Sequence, residues 1–121
     1  MSIPKIPEGE YRFCLIMWDQ EPVSTLDLVR LCQEKLGWKR TTTYTVINRL
    51  GERGVLKLEN GIVTSLISKD EAEKSEIETF VETKFGGSLP AFVAAFTKHQ
   101  SLSEADLDEV QRMIDRMRKG G

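Results

Sequence analysis

The apolar residues of this chain recur every three or four positions through most of its length, with one strand-like stretch near the middle. Leu28, Val29, Cys32 and Leu36 form a clear helical stripe that stops near Gly37. Ser24 stands where an N-cap belongs, and Asp27 occupies the position of a capping-box acid. A short turn through Gly37, Trp38 and Lys39 leads into a second helix that includes Arg40 to Leu50. At about 100° per residue, Thr43, Val46, Ile47 and Leu50 fall on one side of it, and Thr41, Tyr44, Thr45, Asn48 and Arg49 on the other. Solvated helix faces ordinarily carry Glu and Lys, which form helix better than Thr. Short hydroxyls, a Tyr, an Asn and an Arg instead suit a surface that approaches another molecule closely. Thr and Asn hydrogen-bond base edges, a Thr methyl touches a thymine methyl, and Arg takes guanine or phosphate. Two helices joined this way, the second polar outward, predict a helix-turn-helix.

The strand-like stretch follows. Gly51 and Gly54 precede the run Val55 to Leu58, and Asn60-Gly61 separates that run from Ile62 to Ile67. Asn-Gly between two β-rich runs predicts a two-residue hairpin, because both positions tolerate positive φ. A helix-turn-helix followed by a hairpin is a winged helix, with the hairpin strands beside a first helix that includes Phe13 to Trp18. The wing tip is short, so its contacts are expected to be limited to a phosphate backbone.

Helical spacing then returns. A helix is predicted from about Lys69 to Lys84, with Ala72, Ile77, Phe80 and Val81 as a loose apolar stripe, and Phe85-Gly86-Gly87-Ser88 breaks it. Leu89 to Thr97 reads as a short, very apolar helix. Ser103 then caps a last helix, with Asp106 as its N3 acid and Leu107, Val110, Met113, Ile114 and Met117 along it. Phe92 and Phe96 are hard to bury within roughly fifty residues of helix alone, and the alternative to a second copy is that they pack back on the winged helix. Leu89, Phe92, Val93, Phe96, Leu107, Val110, Ile114 and Met117 are therefore expected to meet a second copy of the chain. The fold class is mainly α with a small β-hairpin. It comprises an N-terminal winged helix-turn-helix domain over residues 1–68 and a C-terminal helical dimerisation domain over residues 69–121.

Charge sharpens this picture locally. The 121-residue chain has a formal net charge of −2, which argues against a general nucleic-acid coat. The distribution is uneven. Lys35, Lys39, Arg40, Arg49, Arg53 and Lys57 lie in one segment whose only acid is Glu52, whereas from Ser68 onward acids outnumber bases. A basic patch around one helix, offset by an acidic remainder, fits a specific DNA reader with a separate interaction domain.

Other function classes find little support. No apolar run approaches the roughly 18–20 residues that span a bilayer, and the first residues lack the apolar stretch of a signal peptide. The chain is expected to be cytoplasmic, with Cys14 and Cys32 as reduced core residues. His99 is the lone histidine and has no partners at metal-ligand spacing, so no metal is expected. Gly86-Gly87 lies between helices and is no phosphate loop. The acids of Asp70 to Glu78 read as solvated helix positions, so neither a cofactor nor an enzyme is expected.

The order of motifs resembles a known family. A Trp-ended first helix, Phe13 to Trp18, precedes Pro22-Val23-Ser24 at the start of helix 2. Thr41, Thr42, Thr45, Arg49, Leu50 and Gly54 then fall at family spacing in and after helix 3, followed by Phe85-Gly86-Gly87-Ser88 and Phe92 to Phe96 in the tail. Across nearly its whole length the chain is similar to the penicillinase repressors. That resemblance implies a homodimeric winged-helix repressor, with helix 3 of each subunit in a major groove of a palindromic, double-stranded DNA operator. The candidate DNA-binding residues are Lys39, Arg40, Thr41, Thr42, Tyr44, Thr45, Asn48, Arg49 and Arg53. In the β-lactam-responsive members a membrane sensor protease triggers cleavage of an Asn-Phe bond in the tail. The matching bond here is Ala95-Phe96, a departure that leaves open either a protease of different specificity or release by another signal. The paired Cys-x-Cys motifs of the copper-responsive branch have no counterpart in this tail. The alternative reading is a winged helix that docks a protein partner and never touches DNA.

Overall fold

The computed structural model describes residues 3–99 and 101–120. Among the described residues, six helices and three short strands follow the order α1 (Glu8–Gln20), β1 (Val23–Ser24), α2 (Thr25–Leu36), α3 (Arg40–Glu52), β2 (Leu56–Glu59), β3 (Ile62–Ser65), α4 (Lys69–Phe85), α5 (Leu89–His99) and α6 (Glu104–Gly120). The fold is mainly helical with a small antiparallel sheet, a winged helix-turn-helix followed by a helical region.

Local chemistry sets the element boundaries. Pro7 precedes α1, and Glu8 and Glu10 in the first turn complement the helix dipole. The Ser24 hydroxyl accepts a hydrogen bond from the Asp27 N–H at 3.0 Å, so α2 begins at the expected cap. Gly37 ends that helix at φ 70°, and the N–H groups of Gly37 and Trp38 return to the carbonyls of Gln33 and Cys32. Asn60 and Gly61 have φ values of 53° and 74°, both positive as a two-residue hairpin turn requires, and Glu59 pairs with Ile62 across it.

The sheet holds one strand more than the hairpin expectation. Val23 and Ser24 add to the outer side of β3, Val23 opposite Val63 and Ser24 opposite Ile62, which gives the order β1-β3-β2. Two residues are too short to carry an alternation signal, and Ser24 also serves as the cap of α2. Buried Phe13, Met17, Leu28, Ile47, Leu50 and Val63 centre the core that joins α1, α2, α3 and the sheet. Trp18 closes one edge by donating from Nε1 to the Ile67 carbonyl at 2.9 Å. Phe13 and Trp38 lie parallel, 3° apart in plane, at the turn between α2 and α3.

The chain divides into two compact units, Met1–Ile77 and Glu78–Gly121, a division that falls inside α4. Ala72, near the start of α4, is buried in the N-terminal core. Of the four residues in the loose stripe of α4, only Ala72 is buried; Ile77 and Phe80 are exposed and Val81 is partly exposed. Ser68 and Glu71 start α4 with a reciprocal capping box, Ser68 Oγ accepting from the Glu71 N–H and Glu71 Oε1 from the Ser68 N–H. Within the second unit, Gly86 and Gly87 both adopt positive φ and turn the chain from α4 into α5. Ser88 and Ser103 cap α5 and α6. Phe80, Phe85 and Phe92 form an aromatic cluster around that turn, with Phe96 beside Phe92. No residue of α5 or α6 is buried.

Candidate nucleic-acid interface

The geometry of α3 follows from its sequence register. Thr43, Val46, Ile47 and Leu50 are buried and lock one face to the core. The opposite face presents Arg40, Thr41, Thr42, Thr45, Asn48 and Arg49 to solvent, with Tyr44 half-buried between them. Lys39 precedes the helix and Arg53 follows it, both exposed. The first turn of α3 carries no acid, so the partial positive charge of its free N–H groups adds to Lys39 and Arg40. An anion such as phosphate is favoured there.

Several of these side chains are already engaged. The Arg40 guanidinium lies 5.7 Å from the centre of the Tyr44 ring, a cation–π arrangement that stiffens both. The Thr45 hydroxyl donates to the Thr41 carbonyl at 2.9 Å. Its proton is spent, so outward it offers lone pairs and a methyl group. Arg53 Nη1 donates to the Lys5 carbonyl at 3.4 Å, tying the end of α3 to the N-terminal segment. On the wing, Lys57 sits 3.7 Å from Glu59, which tempers the positive charge near the tip.

Arg49 has a second task that its helix face does not reveal. Its guanidinium donates to Glu10 of α1, whose side chain is only 6% exposed while that of Arg49 is 49% exposed. The other Glu10 carboxylate oxygen is buried without a hydrogen-bond partner among the described residues. A buried carboxylate needs a charge partner, so this pair fixes α3 against α1. The sequence offered one signal for Glu10: an acid three, four and seven positions before Phe13, Cys14 and Met17, inside the buried stripe of α1. Glu21 plays a smaller part of the same kind, accepting from the Ser65 N–H at 2.7 Å and so bracing the end of β3.

Both cysteines are buried, free thiols. Burial, with a smaller contribution from the Glu10 charge, pushes the Cys14 thiol up to about 12. Burial also raises Cys32, partly offset by the neighbouring Thr43 hydroxyl. Neither supplies a thiolate at neutral pH, and no cluster that could hold a metal occurs among the described residues.

A helix-turn-helix, a short wing and a polar outward α3 are thus present together. The penicillinase repressor family model matches residues 6–116. The chain belongs to the penicillinase repressor family. Its similarity to the penicillinase repressor of Staphylococcus aureus is 23% identity over 119 residues, covering 95% of this chain and 94% of the relative. It is also 27% identical over 114 residues to an uncharacterized 16.5 kDa protein in the ptsI 3′ region of Latilactobacillus sakei, covering 91% of this chain and 78% of that one. Members of the penicillinase repressor family are DNA-binding transcriptional regulators and not enzymes, and this chain is a repressor of that kind. Among the described residues, no helix is long and apolar enough to cross a membrane.

Proposed function

We propose that this repressor works as a homodimer that sets α3 of each subunit into the major groove of a palindromic operator. The outward face of α3 carries this reading: short polar groups on a helix whose other face is locked in the core. In it, Thr41, Thr42, Tyr44, Thr45 and Asn48 meet base edges, and Lys39, Arg40 and Arg53 meet phosphates. Asn48 is the natural reader of adenine, and the Thr45 methyl suits a thymine. Arg49, shared with Glu10, acts chiefly by holding α3 at its docking angle.

The dimer is proposed from α5 and α6. Leu89, Val93, Phe96, Leu107, Val110, Ile114 and Met117 are exposed in the single chain, and Phe92 is only half-buried. A second copy covering these residues gives the apolar burial that the single chain lacks. It also joins two modest half-sites into one strong site through effective concentration.

Gel shifts on operator variants test the contact assignments. Asn48→Ala and Thr45→Ala should each lose about 1–3 kcal/mol of discrimination at one operator position. Arg40→Ala should weaken all sequences alike and flatten the salt slope by about one unit. Unchanged operator preference in both Asn48→Ala and Thr45→Ala would remove α3 from the groove.

A further inference from the structure

Resting on the groove docking of α3 proposed above, we propose that residues 3–7 form a strap that carries Lys5 onto the DNA backbone. Lys5 becomes a phosphate contact beside Arg53, supplied by neither the helix-turn-helix nor the wing. Pro4 and Pro7 fix φ at two of the five positions, which lowers the entropy lost on ordering the segment. Pro7 has φ −58° and ψ 142°, the extended polyproline geometry with about three residues per turn. Ile3 and Ile6 stand three apart in it. Ile6 is 3% exposed within the N-terminal core, and Ile3 packs against that core. Lys5, between them, is exposed. The strap is also fastened to the end of α3. Arg53 Nη1 donates to the Lys5 carbonyl at 3.4 Å, and Pro4 Cγ lies 3.9 Å from the place a Cβ would take on Gly54. Backbone and proline ring make this joint, so the Lys5 ammonium is left for another partner.

The register of α3 says which partner. At about 100° per residue, Thr42, Arg49 and Arg53 fall within about 40° of one another, along one border of the outward face. A helix in a major groove has a phosphate strand on either side, so its borders meet phosphates while its middle meets bases. On this border Glu10 takes up the charge of Arg49. Arg53 is held by a neutral carbonyl and keeps its charge. Glu52 is exposed at the same end and offsets one positive charge. Lys5 therefore decides whether that end of α3 favours a phosphate. A lysine meets phosphate as a point charge and reads no base, so its contribution is the same for every sequence.

Salt titrations of full-chain binding to operator and to random duplex test this contact, with Arg40→Ala as the reference. Lys5→Gln should flatten the salt slope by about one unit for each half-site bound. Its affinity at physiological salt should fall about fivefold for each half-site, on both duplexes. Lys5→Arg should keep the native slope. Both variants should unfold at the native urea midpoint, because Arg53 grips a carbonyl that neither substitution removes. A native slope in Lys5→Gln beside a flattened one in Arg40→Ala would overturn the strap contact and leave α3 in the groove. Equal flattening in Lys5→Gln and Lys5→Arg would trace the loss to the packing of the strap, and the contact would fall. A loss confined to one operator position would put a base where a phosphate is proposed and refute it as well. A native chain with no preference for operator over random duplex would sink the docking of α3 itself.

Discussion

Arg49 shows how one side chain can be read two ways. Its place on the outward face of α3 marks it as a DNA contact, yet its guanidinium holds the buried carboxylate of Glu10, 39 residues away. Nothing in the local spacing of α3 announces a partner so distant in sequence. Because Arg49 is half in solvent, removing it costs less than breaking a fully buried pair. Arg49→Ala should lower the unfolding free energy by about 1–3 kcal/mol. In a urea-denaturation double-mutant cycle, Arg49→Ala with Glu10→Ala should lose clearly less than the two singles summed. Strict additivity would dismiss the pair. The cysteines make a pH prediction at the same scale. The Cys14 thiol titrates near 12 in the folded chain, above its unfolded value, so the folded state keeps a proton that the unfolded state sheds. Stability from this group is complete below about pH 8.5, the usual thiol value, and falls as pH rises towards 12. A flat alkaline limb in a comparison of native and Cys14→Ala chains would contradict that burial.

At the level of elements, the sequence was most readable where one short pattern suffices. The register of α3 follows from Thr43, Val46, Ile47 and Leu50, all buried as their spacing requires. The hairpin follows from Asn60-Gly61. The strand runs are shorter than the apolar stretches around them, Leu56–Glu59 and Ile62–Ser65, because Val55, Leu66 and Ile67 lie outside the paired segments. β1 was hidden because a two-residue strand exists only through its pairing with β3. The capping box of Ser68 and Glu71 starts α4, and Ala72 one residue on belongs to the N-terminal core. The turn yields a clean test. A Cβ at Gly61 would meet nothing within 4 Å, so any cost of Gly61→Ala comes from its φ of 74° alone. Gly61→Ala should destabilise the chain by about 1–2 kcal/mol in thermal or urea unfolding, and no measurable loss would argue against this turn geometry.

The whole molecule joins a reader with a buried core to helices whose apolar faces are open. Placing a charge in those faces should separate the two roles. Ile114→Asp should yield monomers in sedimentation with helix content largely retained. Its operator affinity should fall about 100-fold or more through lost avidity, although no DNA contact is touched. Tight dimers from Ile114→Asp would exclude α6 from the proposed interface. The same coupling frames induction. Ala95-Phe96 lies inside α5, and a helical bond is cut only when the helix opens locally. Mass spectrometry of the repressor in induced cells separates the routes. A fragment beginning at Phe96 supports a sensor protease, whereas full-length repressor beside active target genes supports an effector that binds the folded chain. The most direct test of the central claim is hydroxyl-radical footprinting of the full chain on the promoter of its own operon. The account predicts two protected half-sites related by a dyad, on one face of the duplex and a whole number of helical turns apart, with Asn48→Ala needing more protein for the same protection. Protection of a single half-site, or none at physiological salt, would contradict it.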